Sequence, residues 1–146
     1  MKTQQARRHT RSERGSTMLE TALLLLVFLT MLIGILDFGQ VLYFHQSLVE
    51  RARAAARYGA IHPTDSAGIK NVALYNQSAP TGSPLPVLPG MTTAMVDVQD
   101  LSANTPEARI MVTISNYPIN LISPYIARQF NNRPVIVSMT AENQVP

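Results

Sequence analysis

The sequence predicts an α+β fold, in which a long N-terminal transmembrane helix extends into a small three-stranded antiparallel sheet domain. Three observations predict it. An uncharged apolar run extends from Thr21 to Leu36, a helical repeat of apolar and small residues continues to Gly59, and three segments after residue 91 alternate with period two. The chain of 146 residues is long enough for one domain plus a membrane anchor.

The charge of the chain is concentrated at its N-terminus. Residues 1–15 hold five basic residues and one glutamate, a net charge of +4, while the rest holds seven basic and eight acidic residues, a net charge of −1. Nucleic-acid binding requires basic residues clustered on a folded surface, so we expect no nucleic-acid partner. The absence of cysteine excludes disulfides and thiolate metal sites.

The apolar run predicts one membrane crossing. Together with 16–19 and 38–44 it exceeds the roughly 20 residues that span a bilayer. A buried helix of a soluble protein is the alternative, but this chain is too small to surround a helix that is apolar on all sides. The basic residues precede the run and the next one is Arg51, so we expect a cytoplasmic N-terminus and an extracytoplasmic C-terminal part. Membrane lipid is then a partner of the helix.

The residues before the run indicate proteolytic processing. A secretory signal peptide needs small residues after its apolar core, and DFGQVLYFHQ offers no such site. Small residues stand before the run instead, at Gly15 and Ser16, and a carboxylate follows at Glu20. A glycine after a basic leader, with a carboxylate five residues on, is the pattern that prepilin peptidases read. Cleavage after Gly15 would leave Ser16 as the N-terminus and retain the whole anchor.

Glu20 has two interpretations. A carboxylate within a bilayer is costly and is usually paired. In a pilin-like assembly its partner would be the α-amine freed on a neighbouring subunit, whereas at the membrane surface lipid headgroups would solvate it. The glycine five residues earlier favours the pairing role.

These residues resemble the TadE-like pseudopilins. The resemblance covers residues 14–60 well: the leader, Gly15, Glu20, the apolar run, DFGQ at 37–40 and LVERARAAARYGA at 48–60. It is looser over 92–142, where a small β region also fits. In that family an acidic-Phe-Gly step, here Asp37, Phe38 and Gly39, closes the membrane helix, and an Ala/Arg-rich helix follows. The chain departs from the family in lacking a proline in the apolar run and from major pilins in having Ser16 rather than an aromatic residue after the cleavage site.

The resemblance implies a minor pilin-like subunit of a tight-adherence (Flp) pilus, acting in pilus biogenesis, adhesion and biofilm formation. It implies as partners a prepilin peptidase, other pilus or pseudopilin subunits contacted through the N-terminal helix, and an inner-membrane assembly platform. The implied location is the bacterial inner membrane, and association with the pilus is a second implied location. Two alternatives stay open: a pseudopilin of a related secretion system, and an uncleaved membrane-anchored binding module of the envelope.

The sequence divides into a leader at 1–15, a transmembrane and amphipathic helix at 16–60, a Pro/Gly-rich connection at 61–91 and a β domain at 92–146. The amphipathic part of the helix is predicted to bury one face: Val41, Phe44, Leu48, Ala52, Ala55 and Gly59. Its small residues allow close packing, on the protein's own sheet or on neighbouring subunits, and we favour the sheet. Gly59 and Pro63 predict where the helix stops.

The strands are predicted at 92–100, 108–116 and 134–142, with a turn at 104–107. A short helix is predicted at 67–76, a loop at 76–90 and a helical turn at 124–129.

No active site, cofactor or metal is expected. The histidines His9, His45 and His62 lack ligand spacing. Asp97 and Asp100 offer two nearby carboxylates, where calcium needs six to eight oxygen ligands. We therefore expect a protein without enzymatic activity.

Overall fold

A computed structural model describes residues 6–101, 108–122 and 133–141, with side chains from Gly15 onward. It divides into two compact units, Met1–Phe38 and Gly39–Pro146. The regular elements are α1 (Ala6–Ile61), α2 (Ser66–Tyr75), β1 (Val96–Leu101), β2 (Arg109–Ile114) and β3 (Val135–Thr140). The predicted combination of a long N-terminal apolar helix and a three-stranded antiparallel sheet is confirmed.

The C-terminal part of α1 buries its apolar face in the second unit, as the helical repeat predicts. Leu48, Ala52 and Ala55 belong to the hydrophobic core, whereas Glu50, Arg53 and Arg57 are exposed. A Cβ at Gly59 would lie 3.0 Å from Ile110 Cγ2 of β2. The small residues of α1 are therefore buried in the protein's own core, where Gly59 contacts both Ile69 and Ile110.

The junction after α1 is short because the chain carries a helix stop and a helix start close together. The N–H of His62 still donates to Tyr58 O at 3.0 Å, and Pro63 has no N–H with which to continue the helix. Asp65 then caps α2 by accepting from the backbone N–H of Gly68 at 2.8 Å. α2 ends at Asn76, which adopts a left-handed conformation with φ 59°.

The sheet has the order β1-β2-β3, and both pairs are antiparallel. Val98, Val112 and Val137 are aligned across it. The predicted inward face of β2 is buried: Ile110, Val112 and Ile114. On β3 only Val135 is fully buried, and Met139 is 37% exposed.

All three strands are shorter than predicted. β1 begins at Val96, because residues Thr93–Met95 form a 3₁₀ turn in which Met95 N donates to Thr92 O at 3.1 Å. β2 ends at Ile114, and Asn116 has a positive φ of 58°, which ends the extended backbone. The turn predicted at 104–107 and the helical turn predicted at 124–129 lie outside the described residues.

The loop predicted at 76–90 has no helix or strand, yet it is fastened to the core. Val87 N donates to Leu74 O at 2.8 Å, and the Tyr117 hydroxyl donates to Pro89 O at 2.9 Å. Leu88 is only 4% exposed. The loop therefore covers one part of the core that the three strands leave open.

Candidate functional site

The proposed processing position lies in helical backbone. Gly15 and Ser16 belong to α1, and both are exposed. No heavy atom outside the helix's own neighbourhood lies within 4 Å of a Cβ built on Gly15. The position is thus open to an approaching enzyme from the side, although the peptide bond between the two residues is part of a helix.

Glu20 lies on the same face of α1 as Ser16, one turn further along the helix. Four residues of α-helix advance about 6 Å, so the two residues are neighbours on the helix surface. Glu20 is exposed, and the structure describes neither a hydrogen bond nor an ion pair to its carboxylate. The carboxylate is therefore available to a group outside this chain.

The first unit presents apolar side chains on every side of the helix. Within Gly15–Ile61 an 18-residue window has a mean hydropathy of 2.5 and none of it is buried. Most large residues there are more than half exposed: Met18, Leu19, Leu23, Leu24, Leu25, Leu26, Val27, Phe28, Met31, Ile35 and Phe38. Apolar surface of this extent requires a covering, which is what a bilayer or neighbouring apolar helices supply.

The polar side chains in the apolar run are satisfied within the helix. The Thr21 hydroxyl donates to Thr17 O, and the Thr30 hydroxyl donates to Leu26 O, each at 2.8 Å. A hydroxyl in hydrocarbon without a partner would cost free energy, and these bonds remove that cost. The run is therefore compatible with lipid contact despite its threonines.

The acidic-Phe-Gly step does not end α1. The helix continues from Asp37, Phe38 and Gly39 to Ile61, as a single helix over 16–60 requires, so this step lies inside α1. What changes here is the side-chain environment, because Asp37 is fully buried while Phe38 is 63% exposed. The division between the two compact units also falls between Phe38 and Gly39.

Beyond this step the exposed surface of α1 is mixed, with Leu42 and Tyr43 exposed beside polar side chains. His45, Gln46, Val49, Glu50 and Arg53 line a shallow open groove. Glu50 and Arg53 could pair by their spacing, but the structure describes no ion pair between them. Within the described ranges, no three His, Asp or Glu side chains come together as metal ligands.

A cluster of hydrogen-bonded and stacked side chains, not predicted from the sequence, lies where α1 meets α2. The Tyr58 hydroxyl donates to Asp65 Oδ2 at 2.9 Å, and the Tyr58 ring stacks on His62 with centroids 4.6 Å apart. The hydrogen bonds from the backbone N–H of Gly68 and from the Tyr58 hydroxyl lower the pKa of Asp65 below its ordinary 3.8. Desolvation opposes them in part, and the electrostatic effect of His62 adds the smallest contribution to the lowering. The signal in the sequence is an aspartate directly before a short helical repeat, a typical N-cap.

One segment of α1 matches a known protein family. Residues 15–57 match the family model described as TadE-like protein. This segment is similar to the TadE-like family. The match begins at Gly15, includes Glu20 and the acidic-Phe-Gly step, and ends in the Ala/Arg-rich part of α1. No curated protein and no solved structure matches the chain.

The matched segment consists entirely of α1 residues, and α1 is the one helix of the described chain that is long and apolar enough to cross a membrane. This helix indicates a single-pass membrane anchor. The sheet and α2 lie beyond the matched residues.

Proposed function

We propose that the protein is a minor pilin-like subunit that takes part in assembling a tight-adherence pilus and so supports adhesion and biofilm formation. A prepilin peptidase cleaves it after Gly15 on the cytoplasmic side of the bacterial inner membrane. The apolar part of α1 then anchors it, and its C-terminal unit lies outside the cytoplasm. Its partners are the peptidase, other pilus subunits and the inner-membrane assembly platform.

One observation carries the proposal: the TadE-like match coincides with an apolar helix whose first turns present an open glycine and an accessible carboxylate. The exposed apolar surface provides the contact area for lipid and for neighbouring helices. Glu20 is accessible to the freed α-amine of a neighbouring subunit, and the pairing of opposite charges is strongest where water is excluded.

Processing is tested by the intact mass and N-terminal sequence of the chain extracted from membranes, with and without prepilin peptidase. We expect a chain that begins at Ser16 only when the peptidase is present. We also expect Gly15→Ala to abolish this shortening while the chain still inserts, because insertion depends on the apolar run. Gly34→Ala is the matched control, since Gly34 is another α1 glycine with open surroundings. Normal shortening of the Gly15→Ala chain would contradict the proposed site.

The role of Glu20 is tested by its replacement with alanine. We expect Glu20→Ala to be shortened normally but to co-purify with pilus subunits roughly tenfold less, which corresponds to a loss of about 1.4 kcal/mol in association. Glu50→Ala is the control, because Glu50 is also an exposed glutamate of α1. Equal recovery of the two variants with pilus subunits would count against pairing by Glu20.

One observation favours a second candidate, an uncleaved membrane-anchored binding module of the envelope. Peptide bonds in exposed, irregular segments are the preferred sites of proteolysis, whereas Gly15 and Ser16 lie inside α1. Glycine lowers helix stability by about 1 kcal/mol relative to alanine, which eases local unwinding at this point. If the chain kept residues 1–15 in the presence of the peptidase, this result would favour the uncleaved binding module.

A further inference from the structure

The hydrogen-bond pattern of the sheet identifies which backbone groups of β3 point outward. Ala141 N donates to Ala108 O at 2.8 Å, and the register continues from this pair through Met139, Val137 and Val135. In an antiparallel ladder alternate residues bond to the same neighbour. Ile136, Ser138 and Thr140 therefore direct their backbone N–H and C=O groups away from β2, and the structure describes no partner for these groups.

The two edges of the sheet differ in protection. β1 carries Asp97 and Asp100, and α2 packs against it. Charged side chains and covering elements are the usual means by which proteins prevent a sheet edge from pairing with another strand. β3 is uncharged, its contacts with other described elements are mainly those with β2, and Ile136 is 58% exposed. Among the residues that the structure describes, the β3 edge thus has neither form of protection.

We propose that the β3 edge is a self-association surface, on which β3 of a second copy of this chain pairs in antiparallel orientation. Pairing centred on Ser138 sets Ser138 opposite its counterpart and Ile136 opposite Thr140 of the second copy. The outward N–H groups of both strands then all find carbonyl acceptors. Because β3 has no charged residue, this pairing opposes no like charges, whereas a pair of β1 strands would contain four aspartates.

Single cysteines test the proposal in the full-length chain within its native membrane, where the absence of natural cysteine leaves no competing thiol. Opposed residues of a hydrogen-bonded antiparallel pair have Cα atoms about 5.5 Å apart, within the range that a disulfide bridges. Under mild oxidation we expect Ser138→Cys to form a covalent dimer roughly tenfold more than Gln99→Cys. Gln99 is the matched control, because it is exposed on β1 in the row that contains Ser138.

A second substitution examines whether strand pairing causes the cross-link. Lysine at a sheet edge opposes pairing, so Ile136→Lys in the Ser138→Cys chain should lower dimer formation roughly tenfold, while Gln99→Lys in that chain should leave it unchanged. Equal cross-linking at positions 138 and 99 would overturn the proposal, as would a Ser138→Cys dimer that persists with Ile136→Lys. Cross-linking of Ser138→Cys to a different protein would also overturn it. The proposal does not depend on processing at Gly15.

Discussion

At the scale of single residues, Asp65 joins two elements by accepting two hydrogen bonds. One comes from the backbone N–H of Gly68 in α2 and the other from the hydroxyl of Tyr58 in α1. Both bonds favour the charged carboxylate, which is why the pKa of Asp65 is lowered. Asp65 therefore contributes to stability only while it is deprotonated.

This linkage predicts a dependence of stability on pH. Since the pKa of Asp65 is lower in the folded than in the unfolded chain, its contribution is complete above about pH 4 and is lost as the pH falls through the folded pKa. We expect Asp65→Asn to melt at a lower temperature than the natural chain at pH 6. At pH 3 we expect the two melting temperatures to be close. Circular dichroism of the detergent-solubilised protein measures this. Asp100→Asn is the control, and a constant gap between the natural chain and Asp65→Asn would contradict the linkage.

At the scale of elements, the contact of α1 with the sheet depends on a glycine. A Cβ on Gly59 would lie 2.9 Å from Ile69 Cδ1 and 3.0 Å from Ile110 Cγ2, and both isoleucines are fully buried. Nothing lies within 4 Å of a Cβ on Gly39, which belongs to the same helix. Substituting alanine at each of the two glycines therefore distinguishes the effect of helix propensity from the effect of core packing.

We expect Gly39→Ala to stabilise the protein by about 0.5–1 kcal/mol, because alanine favours helix. Gly59→Ala gains the same propensity but overpacks the core, so we expect its free energy of unfolding to lie about 1–3 kcal/mol below that of Gly39→Ala. Guanidinium unfolding of the detergent-solubilised chain followed by circular dichroism measures the difference. If Gly59→Ala proved as stable as Gly39→Ala, the tight contact with Ile69 and Ile110 would be refuted.

The sequence predicted these elements well where burial repeats with a clear period. The α1 face and the inward residues of β2 follow periods of 3.6 and 2, because each faces one core. The start of β1 was missed because residues 92–94, Thr-Thr-Ala, offer no large apolar side chain that distinguishes a strand from a turn. The end of α1 at Ile61 lies close to the predicted stop at Gly59 and Pro63, because proline has no backbone N–H with which to continue a helix.

At the scale of the whole molecule, the two units differ in how their apolar residues are covered. All buried hydrophobic residues of the described chain lie at position 41 or beyond, whereas Met18–Phe38 holds most of the large exposed apolar residues. The sequence predicted which residues form the candidate site, but it did not show the groups with which they interact. Gly15, Ser16 and Glu20 stand on an accessible helix, and the groups expected to act on them belong to other molecules. No single chain can therefore show their pairing.

This division predicts that the second unit folds without the first. Residues 39–146 retain every member of the hydrophobic core, together with the Asp65 and Tyr117 hydrogen bonds, and they omit the run that requires lipid. We expect this fragment to remain soluble without detergent and to unfold in one cooperative transition, while the full chain aggregates unless detergent or lipid is present. Size-exclusion chromatography and thermal circular dichroism of both chains measure this. An aggregated or non-cooperative fragment would mean that residues before Gly39 contribute to folding.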